Sequence, residues 1–161
     1  MFKLYYALVY PHLINHVVVW GSAPSSHLRI LTVRLNNILR VILGVRWVEG
    51  RPDVHTDCMY RANNILKIES IFKLSLFKLL KSLIDGRLPD MYDYLLGPHI
   101  SPRNYETRNG RFRHPALTNE VERRSLPHQL ISLYDTLPAG YIDQGVSKAT
   151  QNFKQYLLNI Q

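Results

Sequence analysis

Apolar residues fall along this chain in short stripes that recur every three or four positions, the signature of helices burying one face. The first stretch, Phe2 to Trp20, reads as a buried helix kinked near Pro11, because proline removes a backbone donor and disfavours helix in the residue before it. Gly21 to Ser26 follows as a turn, with Ser25 or Ser26 placed to cap the next helix. That helix is predicted from about His27 to Leu43, with Leu28, Leu31, Leu35, Ile38, Leu39 and Ile42 as its stripe and Arg29, Asn36 and Arg40 on the other side. Gly44 is a natural stop.

Arg46 to Val54 reads as a loop. Thr56 is placed to cap a short helix through Met59, Tyr60 and Ala62, and Ser70 to cap another ending at Asp85-Gly86. On that later helix Phe72, Leu76, Leu79, Leu80 and Leu83 form the expected buried face. Ser75, Lys78, Lys81 and Ser82 lie on the opposite arc, with Lys73 at its border. Leu88 to Leu96 forms one further short helix. From Gly97 to Pro115 the glycines, prolines and asparagines argue against a regular element. Beyond it, Glu120 to Tyr134 is weakly helical with Pro127 inside, Pro138 to Gly145 is a loop, and Ser147 to Ile160 is a final helix with Phe153, Tyr156, Leu157 and Ile160 on one side. The expected fold is therefore mainly α, a small bundle of about five to seven helices with a long basic loop around 97–115. The expected organisation is a helical region over 1–96, a basic linker loop over 97–115 and a C-terminal helical segment over 116–161.

Composition narrows the function. The 161 residues are 46% hydrophobic, enough for a packed core. The net charge of +8 favours anionic partners such as nucleic acid or acidic membrane surfaces. A single cysteine, Cys58, excludes an intrachain disulfide and suits a reducing compartment, cytoplasmic or nuclear. The apolar run from Leu4 to Trp20 is interrupted by Pro11, His12, Asn15 and His16. It is also shorter than the roughly 20 apolar residues of a spanning helix, so no membrane partner is expected.

Candidate chemistry is sparse. His12 and His16 have metal-ligand spacing, but no acidic residue lies between them and Pro11 disturbs the helix, so packed or surface histidines are the expectation. His55 and Cys58 cannot complete a familiar zinc set. Cys58 shows no base that would make it a nucleophile. Phosphate-binding glycine loops, dinucleotide fingerprints and nucleophile elbows are missing from the sequence, and no cofactor is expected. Two-metal phosphoryl transfer needs clustered carboxylates. Here Asp53, Asp57, Asp85, Asp90 and Asp93 are scattered and no two aspartates are adjacent.

The strongest positive feature is the loop carrying Arg103, Arg108, Arg111 and Arg113, opposed only by Glu106. Tyr105 and Phe112 are interleaved and His99 and His114 flank the run. Arginines grip phosphates and aromatic rings stack on unpaired bases. A solvated basic loop, or arginines anchoring neighbouring helix ends, is the alternative. Lys73, Lys78 and Lys81 make a second patch, and Arg123 with Arg124 a third.

The series Leu4-Tyr5-Tyr6-Ala7-Leu8-Val9-Tyr10-Pro11-His12-Leu13, then Val19-Trp20-Gly21, resembles the stretch just downstream of the polymerase domain in LINE-type (non-LTR) retrotransposon reverse transcriptases. Leu35 to Ile42 resembles that family's next helix. Thr56 to Tyr60, Ile65-Leu66-Lys67-Ile68 and the helix to Lys81 continue the pattern. Tyr105-Glu106-Thr107-Arg108 is similar to its Tyr-x-Thr-Arg signature. Ser125 to Pro138 and Phe153-Lys154 to Leu157-Leu158 resemble its last recurring blocks. One departure is Tyr134-Asp135-Thr136, where many relatives carry Trp-Asn before Leu-Pro. The resemblance implies a thumb-like, post-catalytic accessory region of an RNA-directed DNA polymerase. The metal-binding aspartates would lie upstream, so the chain would not be an enzyme on its own. Its implied partners are template RNA or target DNA and the upstream polymerase domain. The candidate nucleic-acid contacts, read from the basic loop and the lysine patch themselves, are Arg103, Tyr105, Arg108, Arg111 and Arg113, with Lys78 and Lys81. A helical protein-interaction module adapted by a host, without a nucleic-acid role, is the alternative.

Overall fold

The computed structural model describes residues 2–45, 47–48, 51–52, 55–96, 119–137 and 140–160. The protein is mainly α-helical, as the apolar spacing predicts. The basic loop around 97–115 lies outside the described residues.

The N-terminal run is not one kinked helix. A helical turn α1 (Phe2–Leu4) widens into a π turn (Tyr5–Val9) and narrows again into α2 (Tyr10–Ile14). Within the π turn the Tyr10 N–H donates to the Tyr5 carbonyl, five residues back. Pro11 explains the widening: it has no N–H to return to Ala7, and its ring crowds that carbonyl in a regular helix. A second break follows, which the sequence does not announce. Asn15 is extended and His16 takes the left-handed conformation, φ 52°. The Trp20 indole N–H then donates to the freed Asn15 carbonyl at 2.8 Å. The short helix α3 (Val17–Trp20) resumes from there. Of this run, Tyr5, Leu13 and Val17 are buried, whereas Leu4, Leu8 and Val19 are exposed.

Helix α4 (Ser25–Leu43) begins two residues earlier than its apolar stripe predicts, with Pro24 at the N-cap and no serine cap bond. Gly44 stops it as expected, at φ 64°, its N–H returning to the Arg40 and Val41 carbonyls. Only Leu35 and Leu39 of the predicted stripe are fully buried, and Ile38 is exposed. The stretch expected to be a plain loop carries a two-residue antiparallel ladder, β1 (Trp47–Val48) against β2 (Arg51–Pro52). Helix α5 (Thr56–Ala62) is capped by His55, not Thr56: the His55 Nδ1 accepts the Asp57 N–H at 3.3 Å.

Helix α6 (Ile68–Ile84) starts before Ser70, which is buried inside it and does not cap it. Its buried residues are Ile68, Ser70, Ile71, Leu74, Leu76, Phe77, Leu80 and Lys81, a wider arc than the predicted face. The segment is so rich in leucine that periodicity alone does not select one face. The helix closes at Gly86, φ 62°, with the Arg87 N–H reaching the Ser82 carbonyl. The short helix expected over Leu88 to Leu96 is a 3₁₀ turn (Asp90–Leu95).

The weak helix around Pro127 resolves into two. Helix α7 (Glu120–Arg123) is capped by the Asn119 side chain, and α8 (Leu126–Thr136) carries Pro127 in its first turn, where a missing N–H costs nothing. Helix α9 (Val146–Asn159) buries Ala149, Phe153 and Leu157, while Tyr156 and Ile160 of the predicted side stay exposed.

The chain forms two compact units, Met1–Phe72 with Lys154–Gln161, and Lys73–Phe153. These boundaries fall inside α6 and α9; the linker expected over 97–115 lies outside the described residues. Composition marks where a chain turns; side-chain partners decide what it packs with. In the first unit the Tyr60 hydroxyl donates to Asn36 Oδ1 at 2.8 Å, and Arg40 Nη2 donates to Thr56 Oγ1 at 3.1 Å, tying α4 to α5. In the second, Phe77 of α6 stacks on Phe153 of α9 with ring centres 4.5 Å apart, and Tyr141 meets Phe153 edge-on.

Candidate nucleic-acid interface

Arg103, Tyr105, Arg108, Arg111 and Arg113, with Phe112, His99 and His114, lie outside the described residues. The two sites that α6 contributes, Lys78 and Lys81, have opposite fates. Lys78 is exposed, as is Lys73. Lys81 is only 5% exposed, and its ammonium donates to Asp85 Oδ1 and to the Ile142 carbonyl, both at 2.6 Å. An ammonium held by two internal acceptors has one proton left and no path to a phosphate, so Lys81 does not belong among the nucleic-acid contacts. The remaining pair does not form an arc. Lys73 and Lys78 are five positions apart, about 140° around a helix.

The third patch is partly neutralised. Arg124 Nη2 lies 3.0 Å from Glu120 Oε1, and Arg123 Nη1 lies 3.9 Å from Glu120 Oε2. In the second unit Lys73 and Lys78 are thus the sequence-predicted cations that face solvent without a described carboxylate beside them.

The first unit carries a signal that residue-by-residue inspection passes over. The sequence has no aspartate or glutamate before Glu49, yet it holds Lys3, Arg29, Arg34, Arg40 and Arg46 in that span. Arg29 and Arg34 are exposed on α4. Asn36 and Arg40, which the helical wheel puts with Arg29 on a solvent side, are instead turned towards α5 by the bonds to Tyr60 and Thr56. Arg40 also donates to Asn37 Oδ1 at 3.0 Å. The acidic residue nearest in sequence with a described partner, Asp57, is held below the usual carboxylate range, first by the hydrogen bond from Lys67 and then by its charge, at 2.7 Å.

His12 and His16 do not share a helical face, because α2 ends at Ile14 and His16 is left-handed. His55 spends its Nδ1 on the α5 N-terminus, and Cys58 is exposed. Among the described residues no group of three or more His, Cys, Asp or Glu is placed to hold a metal ion, and no helix is long and apolar enough to cross a membrane.

The chain matches no family model, no curated protein and no solved structure.

Proposed function

We propose that the chain is the post-catalytic, helical accessory region of a LINE-type reverse transcriptase, holding RNA or DNA without polymerising by itself. The observation that carries this reading is the ordered series of sequence blocks from Leu4 to Leu158. The mainly α-helical fold agrees with it, as does the acid-free basic stretch before Glu49. Arg103, Arg108, Arg111 and Arg113 are the phosphate contacts, Tyr105 is a stacking platform and Lys78 adds a further cation. Template or target nucleic acid and an upstream polymerase domain are the partners, in the cytoplasm or nucleus.

The test is anisotropy of labelled single-stranded RNA and DNA across a salt series. The chain with all four loop arginines changed to alanine should bind more weakly, and its log-log salt slope should flatten by roughly 0.7 for each phosphate no longer neutralised. Equal binding by both chains, or none by either at low salt, sinks the assignment. A second reading, a protein-interaction module, is favoured by one specific observation. Ile30, Val33, Ile38 and Val41 project from the solvent side of α4.

A further inference from the structure

We draw no further inference here: the strongest candidate, the solvent-facing surface patch of the helix Ser25–Leu43 that presents Ile30, Val33, Ile38 and Val41, carries nothing because nothing in the structure shows what covers it.

Discussion

Lys81 Nζ lies 2.6 Å from Asp85 Oδ1, one helical turn further along α6, and equally close to the carbonyl of Ile142. One buried ammonium therefore fastens the turn around Ile142 to the helix. Removing it leaves Asp85, whose side chain is 21% exposed, and a carbonyl without their shared donor. Lys81→Ala should cost about 2 kcal/mol, because groups left unsatisfied carry their desolvation penalty. Lys81→Met, which keeps the volume, should cost less. Urea unfolding of both variants checks the order; a Lys81→Ala chain as stable as wild type would mean the ammonium does not hold these two acceptors in solution.

The two buried tyrosines of the first unit differ in a way that substitution can read. The Tyr60 hydroxyl donates to Asn36, whereas the Tyr5 hydroxyl meets no hydrogen-bond partner among the described residues. Tyr60→Phe strands the Asn36 oxygen and should destabilise by about 1 kcal/mol. Tyr5→Phe removes a hydroxyl that was already unsatisfied, so it should be neutral or mildly stabilising. Thermal melts of the two variants should separate in that order, and equal losses would count against the buried pair.

The same two residues set a pH limit. Burial raises both phenols above their ordinary value of 10.0, with neighbouring tyrosines adding to the effect at Tyr5. A raised folded value means that the folded chain keeps protons the unfolded chain releases. Stability from these groups is intact below pH 10 and falls as pH rises past it. Ultraviolet titration should show most tyrosines ionising in the ordinary range and a remainder only as circular dichroism disappears. All tyrosines titrating together before unfolding would contradict their burial.

Gly21 ends α3 where space is short. A Cβ there would press against Cδ2 of Phe72 and sit 2.5 Å from the Val17 carbonyl oxygen. Phe72 can move but the carbonyl belongs to the helix itself, so Gly21→Ala should destabilise by about 2 kcal/mol, an overpacking cost. Adding Phe72→Leu should recover only part of it. Full recovery in the double variant would show that the ring alone is the obstacle.

These elements show where sequence reasoning reaches and where it stops. Helix existence is legible from periodicity, and the glycine stops Gly44 and Gly86 from backbone sterics alone. The π turn before Pro11 and the break at His16 are not, since both depend on carbonyls finding donors such as the Trp20 indole. On α6 leucines surround the helix, and Lys81 turns inward although its neighbour Lys78 does not. A lysine is placed by whether a carboxylate and a carbonyl wait for it, and Asp85 is visible in sequence while the Ile142 carbonyl is not. The outward stripe of α4 is legible only once the core has claimed Leu35 and Leu39, leaving Ile30 and Val41 without an inward role.

Lys78 and Lys81, three positions apart on one helix, should separate binding from stability. Lys78 is exposed, so Lys78→Ala should leave the urea midpoint unchanged, weaken RNA binding uniformly across sequences and reduce the salt slope by roughly 0.7, the share of one phosphate. Lys81→Met, in denaturant-free buffer where the chain remains folded, should bind as wild type does, because its ammonium faces Asp85 and Ile142 and not the solvent. Anisotropy and unfolding measured on the same preparations decide it. If Lys81→Met loses affinity while folded, its ammonium reaches the nucleic acid after all; if Lys78→Ala binds unchanged where the arginine-loop variant does not, the α6 surface has no part in the interface.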